Sequence, residues 1–571
     1  MNNWEIAKLF DEIADLLDIL GENPYKARAY RRAAHKLGNA YLDVEELADE
    51  GRLQEIPGIG SALEKKIEEY AKTGELKYLT QLRKKAPTSL RQLLLIPGIG
   101  VKTIQIIYQQ LGITNLQDLE AAARKRLLQE LPGIGVKTEQ AIISGLEAHV
   151  LRRRRLLLHH AFAFAGEIES HLKDTLPGLA NLQIAGSLRR GKEAVGDLDF
   201  VAAADNPAPV VEAFTTAPFV NDVVAAGEVT ATIMTKWGIQ ADLLVVKPEF
   251  FASALQHFTG SKEHNIVLRG MAREQGLKIS EYGIHCDGRV TAPVTEEDLY
   301  RQLGMAYIPP ELREGRGEIE AAQNGVLPEL LEADHIKGDL HVHSEWSDGI
   351  NTLEELAQSA QERGYRYLAV TDHSRSLRIA RGLTEERVRE QQEEIRRLNQ
   401  GFTDFRLLAG IEVEILPDGS LDFEDELLAE MDIVIASVHS GFKQDRKTIT
   451  RRVLSALQNE HVDIIGHPTG RLLGRRDPYD IDVDALLQVA AETGTALEIN
   501  ASPDRLDLHD EYVHQGIEIG VRFAVNTDAH DVYYLDDIQY GVLQARRGWA
   551  ERSDIINALP LSELFDWLYR R

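Results

Sequence analysis

Apolar positions recur at helical spacing through almost all of residues 1–150. The opening stretch MNNWEIAKLFDEIADLLDIL interleaves acidic and apolar residues on that period and lacks a basic leader, so it reads as an amphipathic helix and not as a signal peptide. From about residue 160 the pattern changes. LQIAGSLRRGKEAVGDLDFVAAA reads as strand, turn, basic loop and strand, and GIQADLLVV as another strand. Residues 248–315 are mixed, with helical EFFASALQHFTG and SKEHNIVLRGMAREQG. The stretch IPPELREGRGEIEAAQNGVLPELLEADHI combines proline, glycine and charge with little periodicity and reads as a linker. Beyond it strand-like runs alternate with helical ones about seven times, ending at RFAVNTDAH, the pattern of a parallel sheet or βα barrel.

Composition narrows the class. A chain of 571 residues exceeds one hydrophobic core and calls for roughly three to five domains. Hydrophobic residues make up 43% and charged residues 27%, and no apolar run approaches the ~20 residues that cross a bilayer. The single cysteine, Cys286, excludes an internal disulfide, fits a reducing cytosol and leaves metal binding to His, Asp and Glu. The net charge of −27 is uneven: residues 1–155 carry 24 Lys+Arg against 21 Asp+Glu, the remainder 40 against 70. The front segment can follow a phosphate backbone, whereas the rest needs cations to handle phosphates.

Three segments of the helical region repeat one design: EIPGIGSALEKKI from Glu55, LIPGIGVKTIQII from Leu95 and ELPGIGVKTEQAI from Glu130. Each is a glycine turn that permits close backbone approach, followed by a helix whose first N–H groups are free to meet a phosphodiester without base contact. They resemble helix-hairpin-helix DNA-binding motifs, with Gly58, Gly60, Gly98, Gly100, Gly133 and Gly135 at the turns. The arginines at 152–155 offer a further backbone contact or a solvated helix end.

In AGSLRRGKEAVGDLDF, Asp197 and Asp199 lie two apart on a strand and so on one face, and Asp242 can join them from a neighbouring strand. Three converging carboxylates repel one another unless divalent cations lie between them, and two Mg²⁺ or Mn²⁺ ions would suit phosphoryl transfer. Gly186, Ser187 and Arg190 can present N–H, hydroxyl and guanidinium to a triphosphate. Over residues 1–315 this resembles the family X nucleotidyltransferases of the DNA polymerase beta type. The resemblance implies Asp197, Asp199 and Asp242 as catalytic metal ligands, and Gly186, Ser187, Arg190 and Gly196 around the triphosphate. It places Phe258 and Gly260 at the sugar, Asn265 at the incoming base and Arg269 on the template side. His257 stands where the family has tyrosine, which bears on ribose discrimination. The front of the chain is similar to the family's deoxyribose-phosphate lyase domain, which implies Lys26 and Tyr30 at a 5′-phosphate and Lys66 as the Schiff-base lysine, with Ala62 replacing a neighbouring family lysine.

In the alternating region strand runs end repeatedly in metal-ligand types: GDLHVHSEWSDG, YLAVTDH, LLAGIEVE, DIVIASVH, VDIIGH and RFAVNTDAH. Strand C-termini of a βα barrel share one pocket. Imidazole and carboxylate without thiol suit Zn²⁺, Mn²⁺ or Fe²⁺. The pattern resembles the PHP (polymerase and histidinol phosphatase) domain, whose nine ligand positions match His341, His343, Asp348, His373, Glu412, His439, His467, Asp528 and His530. It implies a distorted (β/α)₇ barrel with about three ions, Mn²⁺ and/or Zn²⁺, hydrolysing phosphoesters, with Asp372 as a hydrogen-bonding partner and not a ligand.

The expected layout is a lyase-like helical domain with the first motif (1–82), a helical domain with the second and third (83–155), an α+β nucleotidyltransferase palm (156–247), a small α/β nucleotide and template subdomain or thumb (248–315), a linker (316–333) and the PHP domain (334–571). The expected activity is templated gap filling on gapped or primed DNA with dNTPs, joined to 3′→5′ exonuclease action, by a cytoplasmic monomer with no membrane contact. Two other readings stay open: a template-independent nucleotidyltransferase beside a PHP phosphatase, and a DNA-binding repair scaffold with a structural metal site.

Overall fold

The computed structural model describes residues 3–38, 47, 51–56, 59–73, 76–95, 99–136, 138–140, 142–143, 155–179, 181–286 and 289–569. Backbone contacts divide the chain into two units, Met1–Arg153 and Arg154–Arg571.

In the first unit the apolar stripe of the helix Asn3–Ile19 packs on Pro24–Gly38, burying Ile6, Phe10, Ile13, Leu17, Ala27 and Tyr30. Phe10 meets Tyr30 edge to face at 5.4 Å. The Arg83 guanidinium grips the buried Glu12 carboxylate through two bonds of 2.7 and 2.8 Å. The helix Val101–Leu111 begins directly after Gly100 and stops at Gly112, whose φ of 64° is the left-handed turn that glycine accepts at a helix end.

The second unit opens with a mixed five-stranded sheet in the order Asn181–Ile184, Asp197–Ala203, Gln240–Val246, Thr230–Thr235 and Val220–Ala226. Period-two alternation sends Leu198, Phe200 and Ala202 into a core with the helices Leu158–Thr175 and Ala208–Thr215. Val201 packs on the other side with Ala254 and Leu255 of Phe251–Thr259, while Asp197 and Asp199, at the strand's start, stay partly exposed. A small lobe follows: the helix Lys262–Glu274, an antiparallel three-stranded sheet and the helix Glu296–Gln302. Residues 316–333, read as a linker, carry the helix Glu318–Asn324, which adds Ile319 and Ala322 to this lobe's core. Its Glu318 binds His264 Nδ1 at 2.7 Å, both side chains buried. Seven residues make two turns, too few for a helical period to register in the sequence.

The barrel holds seven parallel strands in chain order: Gly338–Val342, Tyr367–Val370, Arg406–Glu414, Ile433–Ser437, Ile464–Ile465, Ala496–Asn500 and Phe523–Asn526. A bridge from Val342 to Ala529 brings the last run back to the first. Leu340, Tyr367, Ala369, Leu408, Ile433 and Ile464 fill the inside together with Leu564 and Leu568 of the final helix, Leu561–Tyr569. At the strand starts Asn557 Nδ2 donates to Gly338 O and Tyr367 OH to Leu559 O, both 2.9 Å, closing that mouth. Outer helices begin on side-chain caps: Thr352, Thr384, Asp445 and Asp482 each accept a backbone N–H of the first turn. The barrel also packs on the five-stranded sheet: Leu506 joins the sheet's core, and Arg471 pairs with Glu193 at 2.7 Å. Among the described residues no helix is long and apolar enough to cross a membrane.

Candidate active sites

Strand register creates the first site. Asp199 lies directly opposite Asp242 in the parallel pair, and Asp197 is two residues along the same face. Oxygens of all three come within 4.8 Å of one another. Burial, Asp197 and Asp242 push the Asp199 carboxyl up to about 7, with Arg190 opposing. Burial and Asp242 likewise raise Asp197. Thr232 Oγ1 and Gln240 Nε2 donate to Asp242 at 2.5 and 2.8 Å and fix its orientation. Three half-buried carboxylates, whose repulsion raises the proton affinity of Asp197 and Asp199, fit a divalent cation, which would relieve the same repulsion.

Gly186 begins the turn that faces these carboxylates. Its φ is +60°, and a Cβ there would stand 1.8 Å from Asp199 Oδ2. Only glycine lets this backbone approach, so Gly186→Ala is expected to cut nucleotide addition at least about a hundredfold by displacing Asp199. Single-turnover primer extension checks this, with 3′ resection unchanged as the control. Ser187 follows on the half-buried turn and Gly196 lies exposed just before the aspartate strand. Arg190 donates from Nη1 to Thr259 O at 2.5 Å and from Nε to Glu314 at 3.1 Å. Phe258 is exposed beside Gly260. Asn265 is buried beneath them, its Nδ2 bonded to His257 O at 2.8 Å and its Oδ1 to Gln256 at 2.9 Å. Arg269 is exposed one turn on, its Nε donating to Asn265 O at 3.0 Å. Burial lowers the His257 imidazole below its ordinary value, favouring the neutral ring.

The second site sits at the strand C-termini of the barrel. Donor atoms gather in three overlapping groups: His343, Asp348, His373 and His530; His341, His343 and Asp528; His373, Glu412 and His439. His467 joins through Nε2, 3.1 Å from Glu412 Oε1. Glu412 is the hub, also 3.4 Å from His341, 3.3 Å from His439 and 2.7 Å from His373. Burial favours the neutral acid, yet His439, His373 and His341 hold Glu412 well below the carboxylate range. Buried His341 Nε2 and Glu412 Oε2 have no aligned hydrogen bond, the state expected of donors shaped for cations. His467 and Asp528 carry positive φ of 28° and 56°, backbone strain that the surrounding fold sustains at this mouth.

Several site residues escape sequence reasoning. Glu498, near the end of the sixth barrel strand, accepts from His341 Nδ1 at 2.7 Å and from His467 N at 2.6 Å. Glu414 binds His439 Nδ1 at 2.9 Å. Both orient an imidazole so that Nε2 faces the pocket. The signal for Glu414 was its place two residues after Glu412, on the same strand face; for Glu498 it was the remaining strand run, ALEIN, carrying an acid. Arg505 lies 3.5 Å from Asp528. Asp372, expected from the sequence to be a hydrogen-bonding partner, accepts from Ser344 N and Gln391 Nε2, anchoring the loop after the first strand.

In the first unit, Lys26, Tyr30 and Lys66 meet at Tyr78, which sequence reasoning missed. Lys26 Nζ donates to the Tyr78 hydroxyl at 2.7 Å, Lys66 Nζ stands 4.5 Å over the ring, and Tyr30 stacks on it at 6.2 Å. Partial burial lowers the Lys66 amine from its ordinary value, Glu69 opposing and Lys26 assisting. Gly60, Gly100, Gly133 and Gly135 are exposed with open space where a Cβ would stand, so a backbone can come close. Gly58, Gly98 and the arginines at 152–154 lie outside the described residues.

Family models match in the same order along the chain: a Helix-hairpin-helix domain at 1–76, a SAM-like Helix-hairpin-helix tandem at 90–148, a DNA polymerase beta thumb at 254–314 and a PHP domain at 339–502. The DNA polymerase/3′-5′ exonuclease PolX of Bacillus subtilis (strain 168) is 42% identical over 574 residues, 100% of both chains. DNA polymerase lambda of Rattus norvegicus is 24% identical over 342 residues, 55% of this chain and 56% of its own. A probable phosphatase of Thermoanaerobacter sp. (strain X514) is 30% identical over 203 residues, 34% of this chain and 78% of its own. With full-length identity at that level and helix-hairpin-helix, polymerase and PHP segments in one order, the chain belongs to the bacterial family X DNA polymerases that carry a C-terminal PHP domain.

Proposed function

We propose that the chain is a DNA-templated, gap-filling repair polymerase whose barrel removes nucleotides from DNA 3′ ends. The observation that carries this reading is the pair of separate donor clusters, Asp197–Asp199–Asp242 on the sheet and the imidazole-rich group around Glu412 in the barrel. Residues 1–82 and 83–155 would hold DNA, 156–247 and 248–315 add nucleotides, and 334–571 remove them. Cytoplasmic action as a monomer belongs to the same reading, since one chain supplies both clusters.

Asp197, Asp199 and Asp242 would hold Mg²⁺ or Mn²⁺; the nine barrel donors would hold about three ions, Mn²⁺ and/or Zn²⁺. Bound ions in either site supply Lewis acidity and an activated attacking oxygen for phosphoryl transfer. The chain's own residues do the rest. The Gly186 turn, Ser187, Gly196 and Arg190 would seat the triphosphate against Asp199, Phe258 and Gly260 would border the sugar, Arg269 would face the template, and Asn265, its amide bonded to His257 O and Gln256, would lie beneath the base. In the barrel Glu498 and Glu414 fix the tautomers of His341 and His439, and Arg505 offers a guanidinium to the scissile phosphate. Open glycine turns in the first unit accept phosphodiesters regardless of base, as gap binding requires.

The test is incubation with gapped, 5′-phosphorylated DNA and Mn²⁺, reading strand lengthening with dNTPs and shortening without them. Both are expected, and excess chelator should stop both. Extension of single strands irrespective of template would contradict the templated reading. Lys66, with its lowered amine beside Lys26, is assigned to Schiff-base chemistry at a 5′-deoxyribose phosphate. Borohydride is expected to trap a covalent adduct with the wild type and none with Lys66→Ala; an adduct surviving that substitution would remove Lys66 from the role.

A further inference from the structure

Arg190, read above as a triphosphate ligand, is not held by the polymerase segment alone. Glu314, nearly buried, is shared by three cations: Arg190 at 3.1 Å, Lys192 at 3.1 Å and Arg547 at 3.0 Å. Arg547 belongs to the barrel, at the end of the helix Ile538–Arg547, and its side chain is 2% exposed. The same Nη1 that binds Glu314 donates to the carbonyl of Arg190 at 2.6 Å, so Arg547 clasps both the backbone of Arg190 and its carboxylate partner. Its Nη2 donates to Asp510 Oδ2 at 2.6 Å, and Asp510 also pairs with Arg316 at 3.2 Å. The contact is close-packed as well as charged: a Cβ on Gly191 would stand 2.6 Å from Leu543 of the same barrel helix.

A triphosphate and Glu314 compete for one guanidinium. With Arg547 in place, Glu314 spreads its charge over three cations; Arg190 gives Nε to Glu314 and Nη1 to Thr259 O, which leaves Nη2 to meet phosphate. Without Arg547, Glu314 would draw Arg190 to itself and repel an incoming polyanion across a half-buried, weakly screened site. We propose that Arg547 of the PHP domain is a positioning residue for nucleotide binding in the polymerase site, acting through Glu314 on Arg190. This rests on the reading of Arg190 as a triphosphate ligand.

The experiment is steady-state gap filling by full-length protein, with 3′ resection measured in parallel. Arg547→Leu is expected to raise KM for dNTP about tenfold with kcat within about twofold and resection unchanged. Adding Glu314→Gln to Arg547→Leu should return KM towards wild type, because the unshared charge is gone; lost packing alone would not be repaired. Unchanged KM in Arg547→Leu, or no repair in the double variant, would overturn the proposal. Arg190→Ala separates the two layers: unchanged KM there would refute the triphosphate role of Arg190 itself, whereas a raised KM there beside an unaffected Arg547→Leu would refute Arg547 alone. If Arg547→Leu also loses resection and so its fold, Arg547→Lys takes its place, with KM up about threefold expected and unchanged KM overturning the proposal.

Discussion

Asp199→Asn is expected to lower nucleotide addition at least about a thousandfold while 3′ resection continues at the wild-type rate. Asparagine keeps the shape of the side chain but removes the charge that a divalent ion needs, and such ions contribute several kcal/mol at about 1.4 kcal/mol per tenfold in rate. The strand is not at risk. In chelator, Asp199 faces Asp197 and Asp242 with no cation to offset their charge, and its carboxyl rises to about 7. Between its ordinary value of 3.8 and about 7 the unfolded chain sheds this proton first, so rising pH destabilises the metal-free fold. In chelator, calorimetry should therefore find Asp199→Asn melting higher than wild type at pH 8 and converging with it near pH 4. A variant that melts lower at pH 8 would contradict the repulsion, and loss of resection in folded protein would contradict two separate sites.

Glu412→Gln should give the reverse phenotype, resection lost at least about a thousandfold and nucleotide addition retained. One buried carboxylate touches five imidazoles, those of His341, His343, His373, His439 and His467, at 2.7 to 3.6 Å. Gln would bring no negative charge to cations held here, and its amide N–H₂ would face ring nitrogens that need a positive centre. Metal content by mass spectrometry should fall alongside resection. Full metal content with lost resection would move Glu412 from ligand to another task. The sheet aspartates share no contact with this carboxylate, which is why addition should persist.

Much of this was legible in the chain because period and chemistry coincide. Asp-x-Asp on a strand puts two carboxylates on one face whatever the loops do, and strand ends of a barrel converge, so His341, His373, Glu412, His439, His467 and Asp528 group together from the sequence alone. What stayed hidden depends on partners distant in sequence. Glu498 is one acid on a buried strand until His341, 157 residues away, is seen bonded to it. Tyr78 is an ordinary helix residue until Lys26 and Lys66 close on its ring. The helix Glu318–Asn324 is too short to show a period, and its anchor is the buried ion pair of Glu318 with His264. Arg547 reads as the end of a basic helix, and only the packing of barrel on sheet brings it to Glu314.

One chain is expected to write and erase the same DNA end at two sites, and nucleotide turnover tests this most directly. Given a one-nucleotide gap, Mn²⁺ and the complementary dNTP, wild-type protein should release labelled dNMP continuously, each molecule having been added and then removed. Asp199→Asn and Glu412→Gln should each abolish this release, and mixing the two should restore it as DNA exchanges between them. Continuous dNMP release by either variant alone would show that one site performs both steps, and the two-site account would be wrong.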